Sequence, residues 1–291
     1  VTPQRLQFTL QALTISEIHA YFMKILVPTD FSETSINAVK YAIQLTSQHT
    51  KAEIILYHSY SILHLSGVPM PILPEDRPAF RKRIFEELSK IRDQFAALTP
   101  ATTTVSCEAD ELPLTEGMQE IIDVRSINLV IMGITGKSGI QKAFIGSNTL
   151  AATEKINVPI IIVPETASYT PLKNVVFAYN RRQPLLSRQS NAIEDFTAKV
   201  NAHLDVLYIG EEQHLNAAKQ DIQKLLHIND ISYHTVKHND TAKDILAFAD
   251  ANNADLLLAL PGKYGFLQDL FHKSITKQLA YKTKVPLMVI S

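Results

Sequence analysis

The chain has 291 residues, 46% apolar and 20% charged, which is length enough for two ordinary domains and a composition that excludes a disordered chain. Its formal net charge is -1 with no lysine/arginine block, so the electrostatic footprint demanded by duplex nucleic acid is missing. No stretch approaches the ~18 apolar residues of a membrane span, and the single cysteine, Cys107, excludes an internal disulfide or a cysteine-built zinc site and suits a reducing cytoplasm.

Residues 1–22 scatter Gln, Thr, Ser, Glu and His among leucines and carry one basic residue, Arg5, a poor fit to a secretory signal. They read as an extension, disordered or foreign to the native protein, ahead of a natural start at Met23. From Lys24 strands and helices alternate: strand 24–28, helix 32–49, strand 52–60, helix 75–98, strand 102–108, helix 114–126, strand 129–132, helix 147–156, strand 159–163. Such alternation implies parallel pairing through right-handed crossovers. The proline-bracketed polar stretch 164–171 has linker character. The order then repeats: strand 175–179, helix 186–200, strand 205–209, helix 213–226, strand 232–236, helix 242–251, strand 256–260, helix 274–281, strand 286–290. The endings match as well, Val158-Pro159 leading to Val163 and Val285-Pro286 leading to Ile290. A repeat of this length implies a duplicated domain, 23–166 and 167–291, rather than a solenoid.

The most informative motif follows the apolar run 128–132. Gly133, Gly136 and Gly146-Ser147 are spaced G-x2-G-x9-G-S. A buried strand ending at glycine lets backbone approach a ligand without a Cβ in the way. Ser147 sits where a helix N-cap is wanted, so Gly146 and Ser147 are expected to offer free N–H groups and a hydroxyl to an anion, a nucleotide phosphate fitting best.

With these motifs the chain resembles the universal stress protein family, over nearly all of residues 23–291 as a tandem pair. Ile25-Leu26-Val27-Pro28-Thr29-Asp30, followed by Phe31, Ser32 and Glu33, is similar to the family's first strand and turn, and the glycine spacing to the signature of its ATP-binding branch. The resemblance implies an α/β fold of two tandem doubly wound domains, each a five-stranded parallel sheet of order 3-2-1-4-5 with helices on both faces. It also implies a ligand at the carboxyl ends of strands 1 and 4, where the order reverses. Carried over residue by residue, Pro28, Thr29 and Asp30 contact the nucleoside, and Ser59 lies under the base where the family often has an apolar residue. Met132 and Gly133 line the ribose, Gly136 and Lys137 meet the phosphate chain, Gly146, Ser147 and Asn148 hold phosphates at the helix start, and Lys142 adds charge.

The second copy departs from this pattern. Alignment on Pro159 and Pro286 puts Leu260, Lys263 and Lys273 at the places of Gly133, Gly136 and Gly146, with Ser274 retained, and Ala178-Tyr179-Asn180 stands for Pro-Thr-Asp. The second domain therefore reads as a degenerate, non-binding copy.

Other readings weigh less. Gly136-Lys137-Ser138 lacks the upstream glycine of a P-loop, Ile131 standing there. Asp30 has two open roles, ligand acceptor and cap of the next helix. The ten histidines are scattered; His234 and His238 lie four apart, but on a strand and its exit. The proline-rich loop 67–74 is a lid over the nucleoside, an inter-domain contact or a rigid crossover. The expected function is thus a cytoplasmic stress-response signalling or regulatory protein that binds ATP or a related adenine nucleotide, Mg2+ accompanying the triphosphate. Hydrolysis is at most slow, since no residue evidently orients water. The expected partners are the nucleotide and an intramolecular pseudo-dimer pairing 160–163 with 287–290, a homodimer staying open; neither nucleic acid nor membrane is expected. The alternatives are a nucleotide-free stress scaffold and, last, an adenylating enzyme.

Overall fold

The computed structural model describes residues 22–48, 51–60, 77–134, 146–182, 184–236, 241–261 and 285–291. The loop 67–74 and the helix expected over 274–281 lie outside them. The first half runs β1 (Phe22–Pro28), α1 (Glu33–Leu45), β2 (Lys51–Ser59), α2 (Arg77–Gln94), β3 (Thr103–Asp110), α3 (Leu114–Arg125), β4 (Leu129–Gly133), α4 (Ser147–Lys155) and β5 (Ile160–Val163). The second runs β6 (Asn174–Tyr179), α5 (Ser187–Val200), β7 (His203–Ile209), α6 (Leu215–Gln223), β8 (Ile231–Val236), α7 (Thr241–Ala251), β9 (Leu256–Ala259) and β10 (Leu287–Val289).

All ten strands form one sheet of order β3-β2-β1-β4-β5-β10-β9-β6-β7-β8. Each half has the expected order with parallel neighbours, and the fold is α/β and doubly wound. Central parallel strands are covered on both faces, so they must be apolar throughout: every residue of β4 and β5 is buried. One core face gathers Val39, Ile43 and Leu88 from α1 and α2, the other Met118, Ile122 and Ala152 from α3 and α4; both continue into the second half.

The halves meet where β5 and β10 pair antiparallel, Ile162 opposite Leu287, Ile161 opposite Met288 and Ile160 opposite Val289. This removes two edges that would otherwise present unpaired backbone. The connecting stretch is fastened down rather than loose. Asn37 of α1 donates from Nδ2 to Pro164 O (3.1 Å) and Ala167 O (3.0 Å). Tyr169 donates to Gln48 Oε1 and meets the Tyr41 ring edge-on, 5.3 Å between centroids. The Asp255 carboxylate then accepts from the backbone N–H groups of Lys173 (2.9 Å) and Asn174 (3.0 Å) at the start of β6.

Candidate functional site

The strand order reverses between β1 and β4, and there three segments converge: the turn after β1, the end of β4 and the start of α4. Serine and threonine compete well for backbone partners in turns and caps, and the turn uses that chemistry throughout. Thr29 N donates to Tyr57 O (2.8 Å). Thr29 Oγ1 accepts from Phe31 N (3.1 Å) and lies 2.9 Å from Ser35 Oγ. Thr29 O is 2.7 Å from His58 Nδ1. A carbonyl only accepts, so the proton is on His58 Nδ1. Every polar atom of Thr29 is engaged and the residue is 5% exposed: it builds the turn.

Asp30 Oδ1 accepts from Ser32 N (3.1 Å) and Ser32 Oγ (2.5 Å), and Ser32 Oγ in turn accepts from Ser35 N (3.3 Å) as N-cap of α1. Asp30 thus orients the cap rather than being the cap. Between them Phe31 has φ 62°, an uncommon left-handed conformation for a bulky residue and one that clusters at functional sites. Its ring lies against His58, 4.6 Å between centroids. Neither the strained Phe31 nor His58 carries a sequence signal, since both depend on the closed turn.

Gly133 ends β4, and its place has a specific cause. A Cβ built there falls 2.8 Å from both C and O of Thr34 and 3.2 Å from Ser35 N. What approaches this glycine is the backbone of the first turn of α1. Thr149 Oγ1 donates to Gly133 O (3.0 Å), joining α4 to the same point. Met132, one residue earlier, is 5% exposed and paired with Ile162, so it belongs mainly to the core.

At α4 the expectation needs two corrections. Gly146, with φ -60° and ψ 145°, is the N-cap, and Ser147 is the first helical residue. The Gly146 N–H is not free: it donates to Ile134 O (2.8 Å), closing the neck of the loop, because the two ends of that loop sit side by side. Ser147 and Asn148 are exposed in the first turn, where N–H groups have no intrahelical acceptor. Gly136, Lys137 and Lys142 lie outside the described residues.

Ser59 ends β2, and its hydroxyl donates to Leu112 O (2.5 Å). Beside it Tyr57 OH donates to Asp110 Oδ1 (2.8 Å), which also accepts Leu112 N (2.9 Å). Burial, then that hydrogen bond, pushes the Tyr57 phenol well above its usual range, so it stays a donor. This cluster fixes the ends of β2 and β3 to one another, and β2 in turn flanks Pro28, which pairs with Tyr57.

In the second half, Val175 pairs with Leu256 as Ile25 pairs with Leu129, which places Asn180 at the position of Asp30. Asn180 Oδ1 accepts Arg182 N (2.8 Å), the same local turn. The entry to the helix differs: α1 starts five residues after Pro28, α5 nine residues after Ala178. Leu260, 5% exposed, fills the place of Gly133 with a buried side chain. Lys263, Lys273 and Ser274 lie outside the described residues. Among the described residues no group of three or more His, Cys, Asp or Glu is able to hold a metal ion, and no helix is long and apolar enough to cross a membrane.

Residues 22–164 match the model of the universal stress protein family. A universal stress protein of Methanocaldococcus jannaschii is 21% identical over 146 residues, covering 49% of this chain and 82% of that one. The crystal structure of a universal stress protein from Archaeoglobus fulgidus is similar with a TM-score of 0.66 at 16% identity, over 92% of this chain and 98% of that chain. The cytoplasmic domain of a prokaryotic cation chloride cotransporter reaches 0.56 at 11% identity, over 92% and 95%. At such identities the solved structures bear on the fold alone, and it is the sequence match over residues 22–164 that carries the assignment: through this first half, the chain belongs to the universal stress protein family.

Proposed function

We propose that the first half binds ATP or a related adenine nucleotide across the carboxyl ends of β1 and β4, and that the protein acts as a regulator whose nucleotide state biases its partners. The observation that carries this reading is the convergence at the strand-order reversal of the Asp30–Ser32 turn, strained at Phe31, with Gly133 and the exposed first turn of α4. Pro28 and Asp30 border the nucleoside, the backbone at Met132 and Gly133 lines the ribose, and the N–H groups of Ser147 and Asn148 face the phosphates. A single helix-end contact contributes only about 0.3–1 kcal/mol, so affinity needs these groups together with base burial. Lys137 and Lys142 supply the positive charge in this reading. The described turn has no carboxylate cage, so Mg2+ arrives with the triphosphate on phosphate oxygens and water.

In the same reading the domains divide at 23–166 and 167–291, the second being a degenerate copy. Leu260 and Asn180 stand where the first half has Gly133 and Asp30. The chain then acts as an internal pseudo-dimer, a reading that the β5–β10 pairing supports, working in the cytoplasm with at most slow hydrolysis.

Calorimetric titration of the full chain with ATP tests the site. Gly146→Phe places a bulky side chain at the mouth of α4 while its φ of -60° suits any residue. The dissociation constant is expected to rise by roughly tenfold or more, the scale of losing one or two charge-assisted hydrogen bonds. An unchanged constant overturns the assignment. Specific facts favour the scaffold alternative: Gly133 is explained by packing and the Gly146 N–H is already engaged. Nucleotide released on denaturing the purified protein decides between the two.

A further inference from the structure

The longer entry to α5 builds something the first half lacks. It carries Arg181, Arg182 and Leu185, and with α6 and the residues just after it these line an open cleft of about 660 Å³ whose lining also includes Tyr179, Asp221 and Lys224. That volume falls within the range of small-molecule sites, roughly 300–1,000 Å³. The cleft uses the turn after β6, which matches the front turn, but its lining runs toward α6 and leaves out Leu260 and β9, the strand end that matches Gly133.

Its chemistry is lopsided. Three cations face one carboxylate, in a chain whose net charge is -1. The carboxylate is spoken for, since Arg181 Nε donates to Asp221 Oδ2 at 2.7 Å. That bond uses one of the five guanidinium N–H donors and holds the planar fork in place. Arg182 is fixed at its backbone by Asn180, 2.8 Å from N to Oδ1. The floor is apolar, Tyr179 being 4% and Leu185 6% exposed. Guanidinium forks over an apolar floor suit a molecule with a phosphate at one end and a ring or short chain at the other.

We propose that this cleft binds a phosphorylated small molecule, its phosphate on Arg181, Arg182 and Lys224 and its apolar part on Leu185. The site does not depend on nucleotide binding in the first half. Phenyl phosphate is the probe. Titrating it into the full chain, followed by methyl NMR of the leucines and by calorimetry, should give saturable one-to-one binding with the Leu185 methyls shifting along the same curve. Arg182 and Lys224 are exposed, so the double variant Arg182→Gln, Lys224→Gln keeps the fold, checked by an unchanged melting curve. Its affinity should fall by roughly tenfold or more, and raising salt should weaken the parent more than the variant. Absence of saturable binding, equal affinity in the variant, or shifts confined to leucines outside the cleft overturns the proposal.

Discussion

Replacing Gly133 with alanine tests whether the end of β4 is glycine because the start of α1 leans on it. The added Cβ falls 2.8 Å from the carbonyl carbon and oxygen of Thr34, about 0.6 Å short of the 3.4 Å at which ordinary contact begins. These atoms cannot swing aside. They belong to a helical turn held by the Ile36 N to Ser32 O bond (2.9 Å) and by the Thr29–Ser35 contact. The first turn of α1 must shift as a body, and overpacking of this kind costs about 1–3 kcal/mol. With unfolding entropy near 2.1 cal/mol/K per residue, ~2 kcal/mol lowers Tm by about 3 °C if the chain melts as one unit and by about 6–7 °C if the front half melts alone. Gly210→Ala is the matched control. The three atoms nearest its Cβ all belong to the Tyr208 side chain, Oη at 2.5 Å, Cζ at 2.6 Å and Cε1 at 2.8 Å. A side chain, even a largely buried one, can turn aside where helix backbone cannot, so the loss there should be smaller than at Gly133. Scanning calorimetry of the three proteins reads the comparison. A Gly133→Ala protein within ~0.5 kcal/mol of the parent, or less destabilised than Gly210→Ala, would refute the packing account.

Tyr41 is 2% exposed and its hydroxyl has no hydrogen-bond partner among the described residues, so Tyr41→Phe should raise stability by about 1 kcal/mol in a denaturant titration. Asn37→Ala removes the amide that ties α1 to Pro164 and Ala167 and should cost about 1–2 kcal/mol by the same measurement. His203 makes stability depend on pH. Burial disfavours its charged form, but the bond to Asp230 (2.5 Å) and the charges of Asp205 and Asp230 outweigh burial and hold its pKa above the reference 6.5. His234 also faces Asp205, at 2.7 Å. Because the folded-state value is raised, the His203 contribution is complete below the unfolded pKa and is lost as pH rises through the folded one. Melting curves taken from mildly acidic to mildly alkaline pH should show that decline, and His203→Gln should flatten it; an equal decline in the variant counts against the assignment.

Much of the architecture was legible in the chain because strand and helix periodicity are local properties. The run 129–132 is β4 with one residue added, and the boundaries of α3 and α4 fall within a residue of those expected. Where expectation slipped, a tertiary partner or a cap decided. The helix read over 213–226 is a short 3-10 turn at Glu212–His214 followed by α6, because the apolar Leu225 and Leu226 pack beyond the helix end rather than extending it. The stretch 164–171 reads as a linker from composition, yet Asn37 and Gln48 hold it against the first half. Pro28, Thr29, Asp30, Gly133 and Gly146, read together from the sequence, lie at the same end of the adjacent strands β1 and β4 and at the start of α4. Their individual hydrogen bonds were not legible, and Ser59 turned out to bind Leu112 O across the sheet edge.

The alternation of elements, the duplication and the loss of glycine at 260 follow from the order of residues alone, since each rests on side-chain periodicity or identity within a short window. Tertiary structure alone decided that the missing Cβ of Gly133 accommodates Thr34, that the Gly146 N–H is spent on Ile134, and that the longer turn after β6 brings two arginines beside α6. Most of these join atoms tens of residues apart or more, and no local pattern encodes which backbone will arrive beside which.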